Sequence, residues 1–200
     1  NSLGIVYYDQ GSYDKSIESY LQALKQFEEL GDKRNTSACY NNIALVHLEQ
    51  RSYDKSIEYL QKALVLNEEI GHKRGMAICY TNIGNIFNQQ NNYDKAIEYH
   101  EKALELFEEL GDKRGISAIT HDLGETYYLA GSYNKAYEYY LKAVKIYEEL
   151  DYKMGIAKAE VNLANLSISL ADSIAVSEKQ RLTYLNQAVS YGKKSMVNAR

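Results

Sequence analysis

Apolar side chains recur along the chain three or four residues apart, which is the spacing of an α-helix buried on one face. Tyr80, Ile83 and Phe87 follow this spacing and predict a helix over about residues 73–90. A second run with the same spacing predicts another helix over about residues 93–110. Because only a short polar segment separates the two runs, we expect the helices to form a hairpin.

The hairpin pattern repeats every 40 residues without a gap. The second helix opens with Gly-Ser-Tyr-Asp-Lys-Ser-Ile-Glu at residues 11–18, and closely related octapeptides begin at Arg51, Asn91 and Gly131. Self-similarity at a fixed period of this length indicates stacked structural units that share one continuous core. The sequence therefore predicts an all-α chain of repeated helical hairpins.

Polar residues and glycines mark where the second helix of each hairpin begins and ends. We expect the helix to begin at a polar N-cap acceptor, namely Ser12, Ser52, Asn92 and Ser132. We expect it to be followed by a residue with left-handed backbone, namely Gly31, Gly71, Gly111 and Asp151. Gly84 and Ala103 should lie where helices come closest.

The packing positions resemble those of the tetratricopeptide repeat (TPR) family. Gly124 and Tyr127 match its first helix, and Ala136, Tyr140 and Ala143 match its second. The family's closing proline is absent and a glutamate stands in its place, so the repeat is 40 residues long. This version is similar to the repeats of kinesin light chain, the Partner-of-inscuteable family, Rap-type regulators and bacterial sensor or regulator TPR regions. The resemblance implies a right-handed superhelical solenoid.

The repeat boundaries predict a single TPR solenoid domain over residues 1–200, with about four and a half repeats at approximately residues 1–30, 31–70, 71–110, 111–150 and 151–200. Asn1 aligns with the interior of a first helix, so we expect the chain to be a fragment of a longer protein. Five residues are inserted into the last repeat near residues 171–180, where Ser177 and Gln180 predict a capping box.

Composition and charge narrow the functional classes. The formal net charge of −4 disfavours binding to a nucleic-acid backbone. No apolar stretch reaches the ~18 residues that a membrane span needs, so we expect no membrane contact by this fragment. Cys39 and Cys79 are too few for a disulfide framework, and packing is their expected role. A cytoplasmic location is favoured over a periplasmic sensor region, although both stay open.

The sequence contains no recognisable catalytic or metal-binding motif. The four histidines, for example His47 and His100, fall at unlike positions of different repeats, so we expect no metal site and no cofactor. Adjacent glutamates such as Glu68 and Glu69 point about 100° apart on a helix, which favours exposed ion pairs with Lys33 and its equivalents over acid–base chemistry. No Gly-rich phosphate loop or nucleophile–histidine set is present. We therefore expect no enzyme.

The family resemblance implies that ligands contact the first helices along a concave groove. The candidate groove residues are Asn41, Asn42, Leu45, Leu48, Asn82, Asn85, Asn88, His121, Glu125, Tyr128, Asn162 and Asn165. A carboxamide both donates and accepts, so Asn42, Asn82 and Asn162 are expected to hold a ligand's backbone. The alternative is that these asparagines bond neighbouring helices. Tyrosines of the second helices, such as Tyr99 and Tyr140, are expected to pack, or else to mark a second partner surface.

The resemblance implies a protein-interaction scaffold that binds a peptide or helix of a partner, within the recognition or regulatory region of a larger signalling protein. The alternative is a sensory solenoid that binds a small ligand, or self-associates, to control a fused kinase or transcription-factor domain. Among the groove positions Lys158 is the one cation, so we expect neutral or basic segments to be preferred over acidic C-terminal tails. Partial exposure of Ile17, Tyr20 and Leu24 is expected to allow self-association through the N-terminal edge.

Overall fold

The computed structural model describes residues 2–172 and 177–198, and these residues form ten α-helices and no strand. The helices are α1 (Ser2–Asp9), α2 (Tyr13–Glu29), α3 (Lys33–Glu49), α4 (Tyr53–Glu69), α5 (Lys73–Gln89), α6 (Tyr93–Glu109), α7 (Lys113–Leu129), α8 (Tyr133–Glu149), α9 (Lys153–Ala171) and α10 (Glu178–Asn198). The chain divides into two compact units, unit 1 (Asn1–Leu110) and unit 2 (Gly111–Arg200). Helices α5 and α6 confirm the predicted helices to within one residue at each end.

The second helices begin directly after the predicted N-cap residues, but only one of the four side chains makes a capping hydrogen bond. Asn92 accepts a hydrogen bond from Lys95 N at 3.4 Å, but the hydroxyls of Ser12, Ser52 and Ser132 make no capping bond. At Ser52 the backbone N–H instead bonds back to His47 O at 2.8 Å, closing the end of the preceding helix. The predicted N-cap positions are therefore confirmed, whereas the expected role of the serine side chains as acceptors is wrong.

Two of the first helices, α3 and α7, carry side-chain caps that the sequence pattern did not indicate. Asp32 accepts a hydrogen bond from Asn35 N at 3.1 Å, and Asp112 accepts one from Gly115 N at the same distance. The Asn35 contacts hold the pKa of the Asp32 carboxyl below its usual value. The left-handed residues predicted after the second helices are confirmed. The angle φ is +66° at Gly31 and +50° at Asp151, where no glycine is available.

In the first four hairpins a small residue on the first helix faces a larger one on the second. Gly84 lies so close to the fully buried His100 that a Cβ at residue 84 would overlap the His100 ring. One repeat earlier, Ala44 takes the place of Gly84 and Leu60 takes the place of His100, and both are fully buried. Ser56 adds a hydrogen bond from its hydroxyl to Ala44 O at 2.7 Å. The close approach predicted at Gly84 is confirmed.

The N-terminal edge differs from the expectation. Tyr20 is only 3% exposed and Leu24 is buried, because the Tyr20 ring packs directly against Gly4 of α1. Ile17 is half-buried against the same core cluster. The expectation of partial exposure is therefore wrong for Tyr20 and Leu24, whereas Ile17 is partly exposed. Self-association through this edge stays a prediction.

Helices α9 and α10 form the last hairpin of unit 2. Asn198 Nδ2 donates a hydrogen bond to Glu160 Oε2 at 2.9 Å, which ties the far end of α10 to α9. The predicted capping box is confirmed, since Ser177 N donates to Gln180 Oε1 at 3.0 Å. Residues 173–176 of the predicted insertion lie outside the described residues. No described helix is both long and apolar enough to cross a membrane.

Candidate functional site

First helices of adjacent hairpins are joined by polar side chains at a constant offset. In unit 1, Asn82 Nδ2 donates a hydrogen bond to Asn41 Oδ1 at 2.8 Å. In unit 2, Asn162 Nδ2 lies 3.0 Å from His121 Nε2. Both pairs are separated by 41 residues, one more than the repeat period. Facing positions on neighbouring first helices are therefore offset by one residue.

This pairing bears on the asparagines expected to hold a ligand. Asn82 and Asn162 bond the neighbouring helix, which is the alternative that the sequence left open. Asn42 is half-buried and makes no side-chain hydrogen bond with any described residue. A carboxamide has more hydrogen-bonding capacity than one contact uses, so ligand binding by all three stays a prediction.

The other predicted residues of unit 1 are all half-buried, and two of them have clear packing roles. Asn85 Oδ1 lies 3.2 Å from His100 Nε2 and holds that buried ring in place. Leu48 packs against the core cluster around Ala44 and Leu60. Leu45 and Asn88 are half-buried, like Asn41 and Asn42.

A small cavity of unit 1 brings Asn41 and Asn42 together with residues that the sequence analysis missed. Its volume is about 190 Å³, and its lining includes Arg34, Asn67 and His72. Asn67 Oδ1 accepts hydrogen bonds from Ser37 Oγ at 3.0 Å and from His72 Nδ1 at 3.2 Å. Burial, and then the charge of Arg34, lower the pKa of His72. Asn67 lies on a second helix, so the first-helix pattern gives no signal for it.

In unit 2, four of the predicted residues line one cavity between α7 and α9. The cavity has a volume of about 380 Å³ and is lined by Glu125, Tyr128, Leu129, Tyr140, Asn162, Asn165, Ile168 and Ser169. Tyr128 Oη lies 3.0 Å from Ser169 Oγ across the two helices. Burial, and then the Glu125 charge, raise the pKa of Tyr140 well above its usual range, so this phenol stays neutral.

His121 lies beside this cavity and is buried. Its Nδ1 is 3.7 Å from Asp122 Oδ1, and its ring lies 5.6 Å from that of Tyr140. Ligand atoms of His121, Asp122 and Glu125 lie within 4.8 Å of one another, the one such group in the described parts of the chain. The two carboxylates make this part of the α7–α9 face acidic.

A second cavity of unit 2 lies at the start of α7 and α9. Its volume is about 930 Å³, and its lining includes Arg114, Tyr147, Tyr152 and Lys158. It occupies the place in unit 2 that the Arg34 cavity occupies in unit 1, 80 positions earlier in the sequence. The sequence analysis missed Arg114 because this residue precedes the groove positions that the family resemblance implies.

Comparison with known proteins identifies the family. A family model described as tetratricopeptide repeat matches residues 1–69, 40–109 and 75–149. The chain belongs to the tetratricopeptide repeat family. A search of curated proteins gives no match.

Solved TPR-like structures share the fold at low sequence identity. BtubC (BKLC) from P. vanneervenii has a TM-score of 0.80 and 21% identity over 98% of this chain and 78% of its own. A Rap protein complexed with Competence and Sporulation Factor has a TM-score of 0.75 and 20% identity, over 98% of this chain and 52% of its own. The STAND protein PH0952 from Pyrococcus horikoshii, which has a TPR sensor, has a TM-score of 0.78 and 21% identity, over 100% of this chain and 30% of its own.

Tyrosines of the second TPR helices pack against the first helices. Tyr140 is buried, so it is not part of an outer partner surface. The Tyr99 ring stacks on Phe87 at 5.5 Å, and the Tyr139 ring stacks on Tyr127 at 5.2 Å. Packing is therefore the role that the structure supports for these rings.

The paired glutamates make exposed ion pairs, as the sequence predicts. Lys33 Nζ lies 3.0 Å from Glu69 Oε2, and the same pairing recurs one and two repeats later.

Cys39 and Cys79 are buried and form no disulfide, and burial raises the pKa of the Cys79 thiol to about 11. Both cysteines are therefore packing residues in this structure.

Proposed function

We propose that this TPR chain is a protein-interaction scaffold that binds an extended peptide segment, or one helix of a partner, along its paired first helices. The observation that carries the proposal is the 380 Å³ cavity between α7 and α9. There, Leu129 and Ile168 expose 46% and 44% of their surface beside the amide of Asn165. A cavity with exposed apolar side chains and a few convergent polar groups is typical of a ligand site.

The charge of the cavity defines the proposed ligand further. Asp122 and Glu125 lie on the α7 side, and no described cation lines the cavity. A carboxylate bound there would meet like charge without a partner to offset its desolvation. Next to Glu125, the bound segment is therefore neutral or basic. We assign the chain to the recognition or regulatory part of a larger signalling protein.

The complex of a Rap protein with Competence and Sporulation Factor supports ligand binding by a TPR-like fold of this kind. A second candidate function is a sensory solenoid that controls a fused domain. It is supported by the likeness to a STAND protein that has a TPR sensor, where the match covers 30% of that protein's chain. A small ligand that binds and stabilises the chain where no peptide binds would favour this second function.

The test is an array of short acetylated and amidated peptides probed with the full chain. The variant Asn165→Ala removes an amide at the cavity, and Asn186→Ala removes an exposed amide on α10 as the matched control. We expect the peptides selected by the wild type to lose affinity for Asn165→Ala alone. Equal losses in both variants, or no peptide selected at all, would contradict the proposed function.

A further inference from the structure

Two cations without ion-pair partners line the 930 Å³ cavity of unit 2. Arg114 and Lys158 both face it, and neither forms an ion pair with any residue that the structure describes. The neighbouring Lys113, by contrast, pairs with Glu149 at 2.9 Å. Asp151 is the one acidic residue of the lining, so the lining carries a net positive charge.

The walls between these cations are apolar and aromatic. Tyr147 and Tyr152 meet edge to face with ring centroids 5.6 Å apart. Met154 also lines the cavity and is 72% exposed. Burial, and then the charge of Asp122, raise the pKa of Tyr147 to about 12, so its phenol is neutral near pH 7. The cavity thus combines positive charge with apolar surface, which suits a carboxylate next to an apolar group.

Unit 1 provides an internal comparison. At the equivalent place, Ile78 stands where unit 2 has Lys158, and the volume is about 190 Å³. Arg34 is not free there, since its guanidinium lies 3.5 Å from His72 Nε2. Of these two equivalent cavities, the one in unit 2 alone presents two cations without ion-pair partners.

The positive cavity and the acidic cavity lie along the same pair of helices. Ala118 lines the first and Glu125 lines the second, and seven helical residues correspond to about 10 Å. Tyr128, which also lines the second cavity, lies about 15 Å from Ala118 along the helix axis, at a rise of 1.5 Å per residue. An extended peptide covers this interval with roughly three to five residues.

We propose that unit 2 binds a peptide segment with one acidic side chain in the Arg114–Lys158 cavity and a neutral or basic residue beside Glu125. About three to five residues separate the two groups, and their opposite charges fix the register of the segment. The inference rests on the proposed function and revises its charge preference, because an acidic group is favoured at one end of the α7–α9 face.

The experiment measures fluorescence anisotropy of labelled peptides with the full chain, at low and moderate salt. Each peptide has one Glu and one Lys at a varied spacing in an Ala, Leu and Tyr background, and matched peptides replace Glu or Lys by Gln. Lys158→Ile inserts the residue that unit 1 has at this place, and Arg114→Gln removes the other cation. Lys193→Ile, an exposed change on α10, is the control.

We expect affinity to peak where three to five residues separate Glu from Lys, and to fall about fivefold on Glu→Gln, the size of an exposed ion pair. Lys158→Ile and Arg114→Gln should weaken Glu peptides by a similar factor and leave Gln peptides unchanged. Peptides that bind with no dependence on Glu, or on Lys158, would overturn the inference and leave the proposed function standing.

A small probe separates the failure of the inference from the failure of peptide binding. Titration with 3-methylbutanoate should shift the methyl NMR signal of Met154 in a saturable way, whereas the neutral 3-methylbutanamide should not. The shift should be weaker in Lys158→Ile. If no peptide binds, the proposed function fails. If Met154 does not respond to the carboxylate, or responds equally to the carboxylate and the amide, the cavity does not bind anions and the inference fails as well.

Discussion

Replacement of Gly84 by alanine tests the closest helix contact in unit 1. A Cβ at this position would overlap Cδ2 and Nε2 of the His100 ring. The ring cannot move away freely, because it is fully buried and its Nε2 is 3.2 Å from Asn85 Oδ1. Gly84→Ala should therefore force either the ring or the helices apart.

The change in the free energy of unfolding is the sum of one stabilising and two destabilising effects. Alanine in place of glycine stabilises a helix interior by about 1 kcal/mol. Overpacking of a buried site costs about 1–3 kcal/mol, and losing the Asn85–His100 hydrogen bond costs about 1 kcal/mol more. The free energy of unfolding should therefore fall by about 1–3 kcal/mol in Gly84→Ala.

Urea unfolding followed by circular dichroism provides the assay. Gly192→Ala is the matched control. A Cβ built on this α10 glycine would meet no neighbouring group within 4 Å, so this change should stabilise the protein. His100→Leu should rescue Gly84→Ala, since the double variant reproduces the Ala44–Leu60 pair. A Gly84→Ala chain as stable as the wild type, or no coupling between the two changes, would refute the packing argument.

His47→Phe should raise the free energy of unfolding by about 1–2 kcal/mol, as measured by thermal melts. The reason is that His47 Nδ1 is buried without a hydrogen bond, whereas the next repeat has Phe87 at the same position. Burial lowers the pKa of His47 and His72, so the unfolded chain binds protons more readily than the folded chain. Stability should therefore fall as pH drops below about 6.5, and a melting temperature independent of pH from 7 to 5 would refute this. Asp32→Ala should cost about 0.5–2 kcal/mol, whereas Ser52→Ala should cost much less, and equal urea midpoints would contradict the assigned caps.

Local sequence suffices to predict the helices of this protein. Apolar spacing and the 40-residue period predict α5 to within one residue, and a positive φ is predicted even at Asp151. The missing capping bonds of the serines are not explained by the backbone. Asp32 and Asn92 close the preceding helix with the same backbone hydrogen bond as Ser52, and their side chains still accept a capping bond.

Contacts between repeats are harder to predict, because they depend on how neighbouring helices are offset. The pairing of Asn82 with Asn41 follows from a one-residue offset that apolar spacing does not specify. Likewise, the cavity at Arg114 depends on which side chains fill the space at the helix starts. In unit 1, His72 approaches Arg34 there, whereas unit 2 has Tyr152 at the equivalent position.

Site-specific photo-crosslinking tests the central claim most directly, namely that the α7–α9 face is the ligand surface. The photoreactive p-benzoylphenylalanine is placed at Ile168, inside the cavity, and at Val189, exposed on α10, in separate chains. The probe is the tightest-binding peptide of the array. We expect a peptide adduct at residue 168 that unlabelled peptide abolishes, and no adduct at residue 189. Equal labelling at both positions, or labelling at residue 189 alone, would contradict it.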